Sequence, residues 1–313
     1  LRAGFRHFIG YQCYNGFRKD VCFYDEQNRE HRFDSHRTDV TTDLALERLD
    51  RLAGKPFYML VGYQAPHYPE QPSPEFEAMY RGTTVHHRPN YREGVDPFTP
   101  TWSPPSPKDR SRDADNQRYG GDMDEYIRLY DAMVTQIDAN VGRLIARLEE
   151  RGLYEHTAVF FMSDHGDMQG CHGLLNKNQP YEESAGIPLI ASLPGFRDGR
   201  TVSAPVSGID LYPTVLELAG VENRTEVSGI SLMQLIEGSS DGLDRQAVSE
   251  SRDWFMIVRD GHKLVFDREA NRPSALYDLQ ADPYELDNLV ADESLKPLVS
   301  RLTDALPKPF RNA

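Results

Sequence analysis

The chain is poor in cysteine and has no long apolar segment. Its three cysteines, Cys13, Cys22 and Cys171, form no CxxC pair and no zinc-finger spacing, and an odd number cannot close completely into internal disulfides. We therefore expect free thiols, with a bridge between Cys13 and Cys22 as the alternative. No run approaches the length of about 18 apolar residues that a membrane helix requires, so the sequence predicts no membrane span.

Positive charge is scarce relative to negative charge. The chain has 35 Lys and Arg residues against 49 Asp and Glu residues, which gives a formal net charge of -14 at pH 7. A surface of this sign opposes non-specific attraction to nucleic acid and to anionic lipid. We therefore expect no nucleic-acid partner, although such a surface can still carry local basic patches.

An initiator Met and a recognisable leader are also missing. The chain opens with "LRAGFRHFIG", which has none of the basic, apolar and small-residue regions of a signal peptide. We expect the true beginning of the protein to lie upstream. The 313 residues present can bury a sizeable core, and their number favours two domains over one.

A helix followed by a strand is predicted in the first quarter of the chain. Residues 39–53 carry apolar positions at helical spacing, and Gly54 is a suitable stop. The apolar run 57–61 comes next, and its continuous character is typical of a strand buried on both faces. That strand ends just before His67.

The clearest helix of the sequence begins after Asp122, which forms a capping-box pattern with Glu125, and ends before Gly152. Its apolar positions recur at steps of four and three residues: Tyr126, Tyr130, Met133, Ile137, Val141, Leu144 and Leu148. A second buried strand over residues 157–162 follows directly. Strand, helix and strand in this order predict a parallel crossover unit.

A long loop separates the first strand from this helix. Residues 70–121 are rich in Pro, Arg and Asp and have no apolar periodicity. So long a loop in a compact domain is either a binding element or a flexible lid, with a plain surface insertion as the alternative. Its basic residues are the only dense candidates for a strip that attracts polyanions: Arg88, Arg92, Lys108, Arg110 and Arg112.

The last third of the chain changes character. "GIPLIASLPG" predicts a third short strand, and "DLYPTVLELAG" predicts a helix with Asp210 as its cap and Gly220 as its stop. Beyond residue 244 the pattern becomes hairpin-like, with Asp260-Gly261 as a turn between two apolar runs. A closing helix is expected near residues 295–306. We therefore predict an α/β domain over 1–244 and a smaller α+β domain over 245–313.

Polar residues stand at the carboxyl ends of both strong strands, where ligands bind in open parallel sheets. The first strand leads to His67 in "APHYP", and the second leads to Asp164 and His165 in "SDHGD". A carboxylate beside an imidazole is a plausible half of a divalent metal site, provided that the strand has already turned at this point. A hydrogen-bonded pair in an exposed loop is the alternative.

Two further groups follow within the same stretch, "MSDHGDMQGCHGLLNKNQPYEES". Lys177 offers a permanent cation with three donors, which suits an anion held by a metal. Metal, lysine and histidines together would neutralise a tetrahedral oxyanion and the charge that develops on a departing oxygen. His172 could donate to substrate, orient a metal ligand, or cap the loop. A solvated surface amine is the alternative for Lys177.

These residues resemble the type I sulfatases of the alkaline phosphatase superfamily. The similar segments are "SDHGD...HG...K....EES..IPLI", "APHYP", "YDAMVTQIDANVGRLIARLEERGLYEHT", "IDLYPTVLELAGV" and "ALYDLQADPYELDNL". They follow the order of the family and cover nearly the whole chain, apart from the Pro-rich loop. The resemblance implies an alkaline-phosphatase-like α/β fold with a mixed, mostly parallel sheet flanked by helices, here incomplete, and a smaller C-terminal α+β domain with a short antiparallel sheet.

The resemblance also implies sulfate-ester hydrolysis at a site with one divalent ion, which is usually calcium in the family. Asp164 and His165 match the second pair of metal ligands, whereas His67 and Lys177 match the two cationic groups that hold the sulfate and its bridging oxygen. His172 is a third candidate catalytic residue. Because an imidazole suits manganese or zinc better than calcium, the identity of the metal stays open.

The chain departs from the family pattern at the nucleophile, a formylglycine that is made from Cys or Ser in a Cys/Ser-x-Pro-x-Arg motif. Cys13 precedes "YNGF", Cys22 precedes "FYDE" and Cys171 precedes "HGLL", and none of them fits. The first metal-binding acid pair of the family has no counterpart either. We therefore expect the nucleophile and this acid pair upstream of Leu1, and we expect this chain alone to be inactive.

The predicted function is thus a metal-dependent sulfuric ester hydrolase that acts on a sulfated small molecule or glycan. The alternatives are a phosphonate monoester or phosphodiester hydrolase on the same scaffold, and a non-catalytic member of the family. Tyr68, Tyr91 and Trp102 could line a sugar subsite, or they could belong to a solvated loop. The family suggests a periplasmic or secreted location, and the residues leave the oligomeric state unknown.

Overall fold

The computed structural model describes residues 4–11, 16–52, 54–93, 122–196, 199–238 and 245–306. The chain divides into two compact units. The first comprises Leu1–His87 and Val95–Ala158, and the second comprises Arg88–Gly94 and Val159–Ala313. A short piece of the predicted long loop therefore belongs to the same unit as the "SDHGD" motif. The domain boundary at residues 244/245 stays a prediction.

The first unit opens with a small antiparallel sheet. Its strands are β1 (Ile9–Gly10), β2 (Val21–Asp25) and β3 (Glu30–Phe33), in that spatial order. Burial alternates along β2 because successive side chains point to opposite faces. Val21 and Phe23 are buried against Val40. The sequence analysis missed this sheet because strands of two to five residues carry little periodicity.

The two predicted helices of this unit are confirmed. Helix α1 spans Arg37–Leu52, and helix α3 spans Met123–Glu150. The Asp122 carboxylate caps α3 by accepting from the backbone N–H groups of Asp124 and Glu125. Glu125 does not complete the capping box, because its carboxylate accepts from Arg128 instead. The helix ends just before Gly152, which has a left-handed φ of 62°.

Polar contacts join α1 and α3 along their length. The Asp39 carboxylate accepts from the Asn140 side-chain amide at 2.7 Å, and Asp50 pairs with Arg147 at 2.6 Å. The side-chain hydrogen bond with Arg147 is the main reason why the pKa of Asp50 lies below its usual value. The apolar stripe that predicted α3 is therefore flanked by a second set of contacts, which hydrophobic periodicity does not show.

The predicted loop 70–121 contains helix α2 (Pro74–Tyr80), so this part of the loop prediction is wrong. Pro74 stands in the first turn of the helix, where its missing N–H costs nothing. The Tyr80 hydroxyl lies 2.6 Å from the Thr135 hydroxyl of α3. Helices α2 and α3 contact each other, and this tertiary contact stabilises a helix too short to stand alone. Residues 94–121 lie outside the described part of the chain.

The predicted strand 57–61 is not formed. Among the described residues, no strand pairs with this segment through backbone hydrogen bonds, and Tyr58 and Leu60 are 60% and 70% exposed. An apolar run favours a buried strand, but a strand also needs a neighbour that accepts and donates backbone hydrogen bonds. Because no described strand provides them, the parallel crossover unit is absent from the described structure.

The predicted strand at 157–162 is confirmed as β4 (Val159–Met162), but its surroundings differ from the prediction. It pairs with β5 (Leu189–Ser192), the predicted third strand, in antiparallel register with Val159 opposite Ser192. All four residues of β4 are half-buried. Every strand pair in the described ranges is antiparallel, so the parallel pairing expected for the sheet is not seen there.

Helix α5 (Leu211–Leu218) confirms the prediction from "DLYPTVLELAG", and it ends before Gly220. Asp210 does not cap it with its side chain. Its buried carboxylate instead accepts from the backbone N–H of Ile230 at 2.8 Å and pairs with Arg245 at 2.7 Å. The remaining short helices are α4 (Glu182–Ala185), α6 (Met233–Ile236) and the 3-10 turns Tyr154–His156, Gly208–Asp210 and Glu293–Leu295.

A four-stranded antiparallel sheet forms the C-terminal part of the second unit. Its strands are β6 (Ala247–Glu250), β7 (Trp254–Arg259), β8 (His262–Asp267) and β9 (Arg272–Asp278), each paired with the next. The predicted Asp260-Gly261 turn joins β7 and β8 with φ values of 52° and 74°, as a two-residue hairpin requires. Helix α7 (Lys296–Ala305) confirms the predicted closing helix and covers one face of the sheet.

Truncation of Leu276 tests this C-terminal core. Leu276 is fully buried among Phe255, Leu264 and Leu302, so Leu276→Ala should lower the free energy of unfolding by about 2–5 kcal/mol. The matched control is Leu286→Ala, because Leu286 is 56% exposed. Urea denaturation followed by circular dichroism measures both variants, and equal midpoints would contradict the assignment of the core.

Candidate active site

Asp164 and His165 lie directly after β4, where the strand has already turned. The backbone N–H of His165 donates to Asp164 Oδ1 at 3.0 Å, which closes a tight local turn. The imidazole Nδ1–H of His165 donates to the Gly166 carbonyl at 2.8 Å. In the neutral form of the ring this bond leaves the lone pair on Nε2, which lies 3.5 Å from Asp164 Oδ2. Asp164 Oδ2 and His165 Nε2 therefore lie close enough together to bind the same metal ion.

The chemistry of these two donors fits a divalent metal ion. A neutral imidazole held by a backbone carbonyl through its other nitrogen is the usual form of a histidine ligand. The Asp164 side chain is 87% exposed, so it is accessible to an ion. A divalent ion takes four or more ligands. Within the described ranges no three His, Cys, Asp or Glu side chains gather at one point, so these residues supply only part of a donor set.

Gly166 holds the turn against helix α4. A Cβ atom at this position would lie 2.1 Å from the Glu183 carbonyl oxygen, so only glycine fits. The Gly166 N–H donates to the Ser184 carbonyl at 2.8 Å. The strand end that carries Asp164 and His165 is therefore anchored to the segment that carries the two glutamates.

The next residues fold back on themselves in a compact loop. The Met168 N–H donates to the Asn176 carbonyl at 2.8 Å, and the Gly170 N–H donates to the Leu174 carbonyl at 2.9 Å. Met168, Cys171 and Leu175 are buried beneath the loop. Left-handed φ angles make the sharp turns, and they occur at Gln169, Gly170, His172, Gly173, Asn176 and Asn178. The glycines of this stretch allow such turns without steric cost.

His172 is held on several sides. Its backbone N–H donates to the Asn90 carbonyl at 2.7 Å, and its Nε2 accepts from the Asn90 side-chain amide at 3.0 Å. Its ring stacks on Tyr181 with centroids 3.9 Å apart and planes 12° apart. Burial lowers the pKa of His172, so the neutral ring is favoured near neutral pH. These contacts fix the position of the imidazole.

Asn90 and Glu183 are site residues that the sequence analysis did not identify. The Asn90 amide donates to Glu183 Oε1 at 2.9 Å and to the Tyr284 carbonyl at 3.1 Å. Glu183 Oε1 also lies 3.3 Å from an Arg88 nitrogen, and the Glu183 side chain is buried. No periodicity or motif marks an asparagine in a Pro-rich loop, so only the tertiary structure reveals the contact.

The segment Arg88–Gly94 is the part of the long loop that joins the second unit. Tyr91 forms an antiparallel bridge with Cys171, and the Arg92 N–H donates to the Gly170 carbonyl at 3.1 Å. Residues 88–93 thus lie against the loop that carries His172. The interpretation of the long loop as a binding element stays a prediction.

Lys177 is half-buried at the end of the folded loop. Its neighbours on both sides, Asn176 and Asn178, have left-handed φ values of 59° and 69°. In the described part of the chain, no carboxylate forms an ion pair with Lys177. Among the described residues, an ammonium group in this position has no carboxylate that neutralises it.

His67 lies in the first unit, whereas Asp164, His165, His172 and Lys177 lie in the second. The His67 side chain is exposed, and its Nδ1–H donates to the Tyr68 carbonyl at 2.6 Å. Its backbone N–H donates to the Gln64 carbonyl at 2.9 Å. The participation of His67 in the same site stays a prediction.

Comparison with known protein families identifies the family of this chain. The sulfatase family matches residues 2–221, and the family described as "N-sulphoglucosamine sulphohydrolase, C-terminal" matches residues 170–311. The first match covers more than half of the chain, and the chain therefore belongs to the sulfatase family, within the alkaline phosphatase superfamily. This assignment confirms the resemblance drawn from the residues around Asp164 and Lys177.

Individual relatives agree with the assignment. An ulvan-active sulfatase from Formosa agariphila is 26% identical over 327 residues, covering 98% of this chain and 58% of the relative. A solved structure described as a complex with its substrate D-glucosamine-2-N,6-O-disulfate has a TM-score of 0.82 at 24% identity, over 99% of this chain and 77% of the other. A phosphonate monoester hydrolase from Silicibacter pomeroyi has a TM-score of 0.68 at 23% identity, over 94% and 65%.

These likenesses confirm the fold class. The chain has an alkaline-phosphatase-like α/β fold, with a smaller C-terminal α+β part that contains a short antiparallel sheet. It spans somewhat over half the length of the ulvan-active sulfatase, as the 58% coverage states. Among the helices of the described ranges, none has the length and apolarity of a membrane span.

Thiol reactivity tests the packing of the site loop. Burial raises the pKa of Cys171 to about 11, so the thiolate is about one part in a thousand at pH 8. Iodoacetamide at pH 8 should therefore leave Cys171 unmodified in the native protein and alkylate it in 8 M urea. Half-buried Cys22 serves as the internal comparison and should react first. Peptide mass mapping gives both rates, and equal native rates would contradict the burial of Cys171.

Proposed function

We propose that the full-length protein is a sulfuric ester hydrolase that removes sulfate from a sulfated carbohydrate or small organic molecule. Its membership of the sulfatase family supports this function. The observation that carries the proposal is the end of β4, where Asp164 and His165 converge on one point while Lys177, in the same unit, has no carboxylate partner among the described residues. Metal ligands and a lysine cation together suit a tetrahedral anion.

Asp164 Oδ2 and His165 Nε2 would hold one divalent metal ion, together with ligands from the remainder of the protein. Such an ion draws charge from the sulfate oxygens and from the nucleophile when it is bound. Calcium is the ion expected from the family. The imidazole donor favours manganese or zinc, since calcium prefers an all-oxygen shell.

Lys177 neutralises the sulfate group and stabilises the charge that develops on the bridging oxygen as the ester bond breaks. His67 is proposed as the second group that holds the sulfate and this oxygen. The nucleophile, a formylglycine, is proposed to lie upstream of Leu1. On this proposal, Lys177 and His67 serve to hold the sulfate, and the attacking group comes from the formylglycine.

His172 serves this site by position. Of the three roles that the sequence leaves open, its contacts favour the organisation of the loop, because Asn90 and Tyr181 hold the ring. A neutral, stacked imidazole fixes the backbone between Asp164 and Lys177. His172 is close in sequence to both Asp164 and Lys177, so a displaced ring would shift both ends of the loop.

A sulfated glycan is the favoured substrate class. Arg88 and Arg92 lie on the segment that borders the site loop, and guanidinium groups bind sulfate oxygens in pairs. One solved structure with the same fold is described as holding a disulfated glucosamine as its substrate. A periplasmic or secreted location suits such a substrate and is part of the proposal.

A phosphonate monoester or phosphodiester hydrolase is the second candidate. Its support is the similarity of fold to a phosphonate monoester hydrolase and the Asp164-His165 donor pair, which suits phosphoryl as well as sulfuryl oxygens. A non-catalytic family member is the third. An upstream sequence that contains Cys/Ser-x-Pro-x-Arg would remove this third candidate.

Replacement of Lys177 tests the proposed function. In the full-length protein, Lys177→Met keeps the length of the side chain but removes its charge, and kcat/KM for p-nitrophenyl sulfate should fall about 10²- to 10³-fold. The control is Lys296→Met, because Lys296 forms only a surface pair with Glu293 at 2.6 Å. Both proteins are also assayed on a phenylphosphonate ester. Wild-type preference for the phosphonate, or unchanged sulfatase activity in Lys177→Met, would reject the assignment.

Replacement of Arg92 tests the glycan-binding role of the loop. Arg92→Gln should raise KM for a sulfated oligosaccharide roughly two- to fivefold, the effect of one exposed ion pair, and leave KM for p-nitrophenyl sulfate unchanged. The ratio of the oligosaccharide KM of Arg92→Gln to that of the wild type should fall as salt is added, because salt screens exposed ion pairs. Arg224→Gln is the control at an arginine that is 85% exposed and belongs to another loop. Equal oligosaccharide KM values in both variants would exclude Arg92.

A further inference from the structure

The backbone on both sides of Lys177 is sharply turned. Asn176 and Asn178 both adopt left-handed φ angles, which asparagine adopts more readily than most other non-glycine residues. Contacts from outside the loop also hold this segment.

One of these contacts comes from the C-terminal sheet. The indole N–H of Trp254, at the start of β7, donates to the Asn178 carbonyl at 2.9 Å. Trp254 also packs against the apolar cluster of Met256 and Val265. Asn178 directly follows Lys177, so this hydrogen bond holds the peptide group between Asn178 and Gln179, one residue beyond the lysine.

A buried charge cluster provides a second contact. The Lys263 side chain is fully buried on β8, and its ammonium group lies 2.5 Å from Glu182 Oε1 and 2.8 Å from Glu285 Oε1. It also donates to the Pro180 carbonyl at 3.0 Å. A buried ammonium group is strongly destabilising without such partners. Pro180 lies three residues after Lys177, so Lys263 holds the chain just beyond the lysine.

Glu285 completes this cluster from a different part of the chain. Its Oε2 accepts from the backbone N–H of Glu182 at 2.7 Å, and its carboxyl group is nearly fully buried. Burial raises the pKa of Glu285, and Lys263 opposes that rise. Tyr181, which precedes Glu182, packs against the apolar cluster that contains Tyr277 and Val265. The segment after Lys177 is thus attached to the C-terminal sheet at consecutive points.

We propose that the C-terminal sheet positions Lys177, through the Trp254–Asn178 hydrogen bond and the ion cluster of Glu182, Lys263 and Glu285. Trp254, Lys263 and Glu285 are positioning residues in this proposal, since they act through Lys177. The inference rests on the proposed oxyanion-binding role of Lys177. It gives a role to the buried ion pair of Lys263 and Glu285, which the partly exposed Glu182 connects to the segment after Lys177.

A double-mutant cycle in the full-length protein tests the proposal. Trp254→Phe keeps an aromatic ring at this position but removes the N–H donor together with part of the indole, and it should lower kcat/KM for p-nitrophenyl sulfate on the order of tenfold, because small displacements of a catalytic group are costly. In the Lys177→Met background the same change should have no further effect. An equal loss in both backgrounds, or no loss with Lys177 present, would overturn the proposal, because a merely structural residue gives independent effects.

A matched control comes from the same sheet. Ser274→Ala removes a side-chain hydrogen bond to the Val265 carbonyl, which does not involve the lysine loop, and it should leave kcat/KM unchanged. The charge cluster is tested by Lys263→Met combined with Glu285→Gln, which removes both buried charges together and keeps an acceptor for the Glu182 N–H. This double variant should lower kcat/KM when Lys177 is present and should have no further effect in the Lys177→Met background, as expected for Trp254→Phe. A loss that is independent of Lys177 would remove the cluster from the proposal.

Hydrogen exchange separates this proposal from the proposed function. Amides of residues 176–179 should exchange on the order of tenfold faster in Trp254→Phe than in the wild type, whereas those of β8 should not change. This readout needs no activity. If the wild type hydrolyses no sulfate ester but the exchange pattern holds, the function fails and the support of the loop stands. If exchange at 176–179 is the same in both proteins, the positioning role is rejected.

Discussion

A lysine ammonium group in the interior of a protein must be paired, because its desolvation is not otherwise compensated. Lys263 meets this requirement with the carboxylates of Glu182 and Glu285 and the Pro180 carbonyl. These partners come from the site segment and from the chain after β9. The ion cluster therefore connects the site segment to the chain after β9. The path of the backbone after Lys177 depends on this connection.

A second polar network organises the other side of the site loop. The Asn90 side-chain amide contacts His172, Glu183 and the Tyr284 carbonyl, and thereby connects the site loop, helix α4 and the C-terminal region. Gly166 adds a further contact to α4, because its missing Cβ lets the strand end approach the Glu183 backbone. The backbone of Asp164 and His165 is thus held in place, although the side chains of both residues are accessible to solvent.

Prediction from the sequence succeeded where local pattern and local structure agree. The stripe of apolar residues after Asp122, the Asp260-Gly261 turn and the Asp164-His165 strand end were predicted and observed. It failed where a distant partner decides the outcome. The run 57–61 has strand composition but no described neighbour, and Asn90 became a site residue only through contacts more than 80 residues away in the chain.

By itself, the sequence determined the family, the principal helices and hairpin, and the residue types that suit a metal and an oxyanion, because these depend on spacing and on side-chain chemistry. Only the tertiary structure decided which nitrogen of His165 keeps its lone pair, why His172 is held in place, and which groups support the loop of Lys177. Hydrogen-bond direction and charge pairing are set by neighbours that are remote in sequence, so no local pattern contains them.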